Sequence, residues 1–263
     1  MMQFEKWHGL GNDFIVTREA VSAEDAVRLC DRRRGIGADG VLVVERSDET
    51  WRMVVLNADG SRPEMCGNGL RCVVAHLAQE GPDGGELSIE TDAGLKRCRY
   101  ERQADDRYRV QVDMGLATVG DALRGPAGSR CYQWVDVGNP HAVSFDPFEE
   151  PDVDVDGPAI EAAVAGGCNV EFVRVHDDGR RLEVVVWERG VGRTEACGTG
   201  ACAVAVAAVA SQRSPAQTTL AVLLPGGQLD IVVSEAPHQV SMTGLAVCVF
   251  RGYCPPSGSD NDD

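Results

Sequence analysis

The sequence predicts an α+β fold of two pseudo-symmetric domains, each a curled, mostly antiparallel sheet around a central helix. Three observations carry this. The frame Glu-x-Cys-Gly-x-Gly occurs twice, at Glu64–Gly69 and Glu195–Gly200, so Cys66 and Cys197 stand 131 residues apart (197 − 66) in a chain of 263. Each frame is flanked alike: an apolar run ending in a polar residue precedes it (Met53–Asn57, Val184–Glu188), and an Ala/Val-rich helical run follows it (Leu70–Ala78, Ala201–Ala207). The rest of each half consists of short apolar or alternating runs punctuated by Gly and Pro, the pattern of strands. Strand-rich halves with one long helix bury that helix against a curled sheet. Two copies of so long a unit are a duplication and not the many-unit period of a solenoid.

In chain order, residues 2–16 read as a strand, a Gly turn over Gly9–Asp13 and a short strand Phe14–Val16. Ser22 is a candidate N-cap for a helix over 23–33, with Glu24 and Asp25 in its first turn. Gly35–Gly40 is a loop before the buried strand Val41–Val44. It lacks the Gly-Lys-Ser/Thr of a phosphate loop and leads into a strand, so nucleotide binding is rejected. After the first cysteine helix and the turn cluster Gly81–Gly85 come strands Glu86–Thr91, Gly94–Glu101 and Tyr108–Met114. The second half repeats the order. Strand Trp134–Val137 leads through Gly138-Asn139-Pro140-His141 into Ala142–Phe145, then come a short helix Asp156–Val164 and strands Val170–Val175 and Arg181–Glu188. Beyond the second cysteine helix, strands are expected at Thr218–Leu224, Leu229–Ser234 and Val240–Thr243, with Ala246–Phe250 crossing back. The expected domains are 1–116 with 246–254, and 117–245, followed by a tail, 255–263, disordered by composition.

The net charge of −16 argues against a nucleic-acid partner, which requires a basic face. No apolar run approaches the roughly 20 residues of a membrane span, and the N-terminus lacks a signal peptide's apolar core, so a cytoplasmic protein is expected. Only Lys6 and Lys96 are lysines among 25 basic residues. An acidic, lysine-poor composition suits a protein kept soluble in concentrated salt, and equally an acidic protein from a GC-rich genome. The ten cysteines are scattered without a C-x-x-C, which makes zinc binding a weak reading; most of those outside the two frames are expected to be buried small hydrophobes.

The two frames carry the chemistry. A cysteine at a helix start meets unpaired N–H groups and the positive end of the dipole, a setting that lowers a thiol's pKa and can also hold a carboxylate. Two such cysteines approaching one carbon from opposite sides can invert it: one as thiolate removes a proton, and the other as thiol delivers one to the far face. The helix-start N–H groups would steady the neighbouring carboxylate as carbanion charge builds. Halves that face each other would bring both turns to one cleft. A pyridoxal-phosphate racemase needs a Schiff-base lysine. With Lys6 near the terminus and Lys96 in a surface hairpin, a cofactor-free mechanism is simpler.

The chain resembles the diaminopimelate epimerases over nearly its whole length. The matching segments are His8–Phe14, Gly35–Gly40, Asn57–Ser61, Cys66–Cys72, Gly138–His141, Glu188–Gly190, Cys197–Cys202 and Leu224–Gly227. The resemblance implies epimerisation of LL- to meso-2,6-diaminopimelate, on the route to lysine and peptidoglycan, by a homodimer without cofactor or metal. It casts Cys66 and Cys197 as the acid/base pair, donor and acceptor in one direction and exchanged in the other. Gly67, Asn68, Gly198 and Thr199 match the α-carboxylate cradle. Asn12, Asn57, Asn139, Asn169, Glu188 and Arg189 match substrate-holding positions, and His141 and Glu188 match residues that tune the thiols. The chain departs from some relatives at Gly40, where they carry glutamine, and at Trp7, where a smaller apolar residue is common. Rival readings are a proline- or histidine-type racemase on the same scaffold, a silent amino-acid-binding protein and a thiol redox protein.

Overall fold

A computed structural model describes residues 1–47, 50–104, 106–125 and 130–255. It divides into two compact units, Met1–Val112 with the stretch from Leu245 on, and Asp113–Gly244. Of the tail expected over 255–263, residues 256–263 lie outside the described residues.

In the first unit, strand β1 (Met2–Gly9) and β2 (Asn12–Thr17) form a hairpin. Its two turn residues, Leu10 and Gly11, both have positive φ (56° and 83°), the twist-matched geometry of a two-residue turn. Helix α1 (Ala23–Cys30) follows, capped by the Ser22 side chain accepting from Asp25 N–H at 3.1 Å. It ends three residues before the expected 33, because Asp31 Oδ1 instead takes the N–H groups of Arg33 and Arg34 at 2.7 Å each. Strand β3 (Gly40–Ser47) runs parallel to β2, and β4 (Thr50–Asn57) pairs antiparallel with β3. Helix α2 (Gly67–Ala78) leads to β5 (Gly84–Thr91), parallel to β4, then β6 (Gly94–Ala104) and β7 (Arg107–Arg124).

The second unit repeats this order. Strands β8 (Cys131–Asp136) and β9 (Pro140–Ser144) form a hairpin, and helix α3 (Glu150–Ala163) crosses to β10 (Asn169–His176), parallel to β9. Strand β11 (Arg181–Glu188) pairs antiparallel with β10 and carries the short arm β12 (Gly192–Thr194). Helix α4 (Gly198–Ala210) leads to β13 (Thr219–Leu224), parallel to β11, then β14 (Gly227–Val233) and β15 (His238–Cys254). Each unit thus has one parallel pair spanned by its first helix and another spanned by the cysteine helix, within an otherwise antiparallel sheet. The duplication read in the sequence is also a duplication of topology.

Besides α1, three elements differ most from expectation. Helix α3 starts at Glu150, six residues before the expected Asp156. Pro151 sits in its first turn, where a missing N–H costs nothing, and Glu149 and Asp152 form a capping box. Strands β7 and β15 run on without interruption through the points where breaks were expected, at 113–117 and 244–245, with Gly115 (φ 90°) absorbed within β7.

Both cysteine helices lie in cores. Helix α4 is apolar all round, and all its residues except Thr199, Val209 and Ala210 are buried. Its small Ala and Val side chains let the strands β8–β11, β13 and β14 close on it. Helix α2 is packed in the same manner by β1–β6 and buries Arg71 completely. Five of the eight cysteines outside the two frames are buried: Cys30, Cys72, Cys98, Cys168 and Cys202.

Candidate active site

Both frame cysteines are helix N-caps in extended conformation. Cys66 Sγ accepts from Gly69 N–H at 3.4 Å at the start of α2, and Cys197 Sγ accepts from Gly200 N–H at 3.3 Å at the start of α4. The sulfur occupies the place of a capping oxygen, so each thiol faces the unpaired N–H groups of its helix, as the sequence implies.

In the first unit the helix start gathers a polar set. Asn68 Nδ2 donates to Asn12 Oδ1 at 3.2 Å, and Asn68 Oδ1 accepts from the buried Arg71 guanidinium at 2.9 Å. Asn12 Nδ2 donates to Asp39 Oδ2 at 2.7 Å, and Arg32 bridges Asp39 and Asp13. Lys6 is buried, not a free terminal lysine: its ammonium pairs with Asp13 at 2.7 Å and donates to the Gly37 carbonyl. Asn57 closes β4 and donates to Ser61 Oγ at 2.9 Å, so Cys66, Gly67, Asn68 and Asn12 stand as one group with Asn57 tied to its own turn.

In the second unit a continuous string of hydrogen bonds ends at the thiol. His141, on β9 and without solvent exposure, donates from Nδ1 to Glu171 Oε1 at 2.7 Å. Its Nε2 faces Asn139 Oδ1 at 3.0 Å, Asn139 Nδ2 donates to Thr199 Oγ1 at 3.3 Å, and Thr199 Oγ1 lies 3.6 Å from Cys197 Sγ. Glu188, at the end of β11, accepts from the Thr194 hydroxyl and interacts with Cys197. Asn169 holds the neighbouring loop: its Oδ1 accepts from Arg189 N–H at 3.0 Å and its Nδ2 donates to the Pro140 carbonyl at 3.2 Å. The Arg189 side chain is exposed and reaches the Gly166 carbonyl at 3.2 Å.

One expectation is corrected. A helix start alone lowers a thiol's pKa, yet Cys197 is pushed well above its ordinary value. Burial does most of this, and the carboxylates of Glu188 and Glu171 add to it, outweighing the Thr199 and Gly200 donors. Glu188 is itself pushed up, by burial and by Glu171, against the Thr194 hydrogen bond. Cys197 is therefore a thiol at neutral pH in this state.

Glu171 escapes the sequence reading because Asn169–His176 reads as an ordinary strand. The available signal is positional. Phe14 pairs with Gly40 between β2 and β3 as His141 pairs with Asn169 between β9 and β10, which sets Leu42 against Glu171. A Cβ added at Gly69 would meet Leu42 at 2.9 Å, and one added at Gly200 would meet Glu171 Oε1 at 2.8 Å. Under the first helix start lie Phe14 and Leu42; under the second lie His141 and Glu171.

Across its length the structure matches that of a probable proline racemase from Agrobacterium radiobacter (TM-score 0.76, 15% identity, 99% of this chain and 95% of that one), which places it in that fold. Within that fold, a family model for diaminopimelate epimerase matches residues 4–119 and 133–249. The chain is 40% identical to a diaminopimelate epimerase of Moorella thermoacetica (97% of this chain, 99% of the relative) and 43% identical to one of Desulforudis audaxviator (95% and 98%). This chain belongs to the diaminopimelate epimerase family and is an isomerase of the racemase and epimerase type. No helix among the described residues is long and apolar enough to cross a membrane.

Proposed function

We propose that the protein interconverts LL- and meso-2,6-diaminopimelate with Cys66 and Cys197 as its acid/base pair. The observation that carries this is the matched placing of two thiols, each capping the helix that follows the same frame in its own unit. One sulfur takes the α-proton and the other returns a proton to the opposite face, with the roles exchanged in reverse. The N–H groups beside Gly67, Asn68, Gly198 and Thr199 hold the α-carboxylate, whose charge grows as the proton leaves. Asn12, Asn57, Asn139, Asn169, Glu188 and Arg189 hold the rest of the substrate. The Arg189 fork suits a distal carboxylate. Because Cys197 rests as a thiol, it is poised to donate. To act as base it needs a neighbouring cation such as the substrate's ammonium group, which favours the thiolate.

The same reading takes the enzyme to be a cytoplasmic homodimer that handles a small diamino diacid and no nucleic acid, without an added cofactor or metal. Sedimentation of the purified protein as two chains is the check on the dimer. The activity is tested by exchange of the α-proton of diaminopimelate in D₂O with no cofactor added. The unaltered protein exchanges and epimerises, and Cys66→Ala or Cys197→Ala loses epimerisation by at least about 10²-fold. Turnover of proline or histidine in place of diaminopimelate overturns the substrate assignment; full activity in both alanine variants overturns the mechanism.

A further inference from the structure

The string below Cys197 contains a group with no part in the cysteine chemistry as written. Glu171 is fully buried; one carboxylate oxygen is bound by His141 and the other, Oε2, has no hydrogen-bond partner. A buried carboxylate held by a single donor is costly, and the fold does not require it. The first unit fills the corresponding positions, under the same helix start and on the same pair of parallel strands, with Leu42 and Phe14. Packing alone is met there by two apolar side chains.

We propose that Glu171 is a positioning residue for the chemistry at Cys197: its carboxylate holds the His141 ring, and through Asn139 and Thr199 sets the hydroxyl that faces Cys197 Sγ. This rests on the two-cysteine reading of the site. Each link constrains the next. A carboxylate can only accept, so Nδ1 carries a proton toward Glu171; the Asn139 amide oxygen likewise only accepts, so Nε2 carries one toward Asn139, and the ring is locked between the two. The Asn139 amide then bridges His141 and Thr199, which fixes how the hydroxyl is presented to sulfur. The first unit is arranged differently at this place. The residue matching Thr199 is Asn68, and it is held by Asn12 and Arg71. The two thiols therefore work in unequal surroundings, with a carboxylate-anchored hydroxyl at Thr199 and a guanidinium-anchored amide at Asn68.

The charged groups acting on Cys197 are Glu188 on β11 and Glu171 on β10, with His141 on β9 against Glu171. The other strands packed on α4, which are β8, β13 and β14, bury Val135, Leu220, Val222, Leu229 and Ile231. Removing the Glu171 charge takes away one of the influences that hold the thiol up, so the pH limb belonging to Cys197 moves to lower pH.

The test is Glu171→Gln in the full-length protein, assayed with diaminopimelate over a pH series. The expected result is kcat down by about 100-fold, at the low end of what acid–base machinery contributes, KM within about threefold, and the Cys197 limb displaced to lower pH. A structural role alone would not move the pH profile. The variant pair Glu171→Leu with His141→Phe copies the first unit's floor and keeps the assay meaningful if the single variant does not fold; its kcat is also expected to fall by 100-fold or more. Wild-type kcat with an unmoved pH profile in either folded variant overturns the proposal. An unaltered protein that fails to exchange the α-proton overturns the epimerase reading instead. In that case a far-downfield Nδ1–H proton resonance of His141, present in the unaltered protein and lost in Glu171→Gln, still decides the Glu171–His141 link.

Discussion

The buried His141–Glu171 pair makes a quantitative prediction about stability, because the protein contains its own apolar control in Phe14 and Leu42. His141→Phe leaves Glu171 with neither oxygen bonded, in a site without solvent. Breaking a buried pair from one side costs about 3–5 kcal/mol. Glu171→Leu leaves the His141 ring with one buried nitrogen unsatisfied, at about 1–3 kcal/mol. If the two acted independently, the double variant would lose roughly 4–8 kcal/mol. Replacing both partners by apolar groups is instead neutral or stabilising, and the space below Gly69 already accepts a leucine in close contact. For a chain of this size a change of 1 kcal/mol moves Tm by about 2–4 °C. His141→Phe should therefore melt roughly 6–20 °C below the unaltered protein, while the double variant should melt within about 4 °C of it. Thermal denaturation followed by circular dichroism, at one protein concentration and pH, measures all four members of the cycle. A double variant whose loss equals the sum of the single losses refutes the reasoning, since the two side chains would then be uncoupled.

Two further outcomes follow from the packing. Burial raises the Glu5 carboxyl, but hydrogen bonds from His76, Trp7 and Gln79 outweigh it and bring Glu5 from its ordinary 4.5 to about 2. A depressed carboxylate stabilises above its unfolded pKa, so Glu5→Gln should cost up to about 3 kcal/mol at neutral pH. That difference from the unaltered protein should shrink as pH falls from about 4.5 toward 2, and Tm against pH reads it; a constant gap across that range contradicts it. Gly157 on α3 lies against Trp187, where an added Cβ would come within 2.7–2.9 Å of that side chain. Gly157→Ala should lose about 1–3 kcal/mol from overpacking and lower Tm by a few degrees, and an unchanged Tm would show that α3 yields without cost.

Much of this architecture is written locally. Ser22, the Glu-x-Cys-Gly-x-Gly frames and the polar residues ending β4 and β11 act through backbone groups a few residues away, so their roles can be read from spacing. The start of α3 was legible in kind but not in position, because Pro151 and the Glu149–Asp152 box act together and only in helical geometry. Strands β7 and β15 run through glycine-bearing stretches that read as strand ends, and partners distant in sequence hold them extended.

The sequence by itself determined the duplication, the two cysteine-capped helices and the family's set of candidate residues, because each depends on short-range pattern or on matched motifs. Only the tertiary structure decided the electrostatics. Cys66 and Cys197 occupy the same local motif, and helix-start physics predicts a lowered thiol pKa for either. Strand register brings Glu171, His141 and Glu188 to Cys197, and sets Leu42, Phe14 and Asn57 at the corresponding positions of the other unit. A thiol's proton responds to whatever charge and burial surround it within a few ångströms, and those neighbours come from strands far apart in the chain.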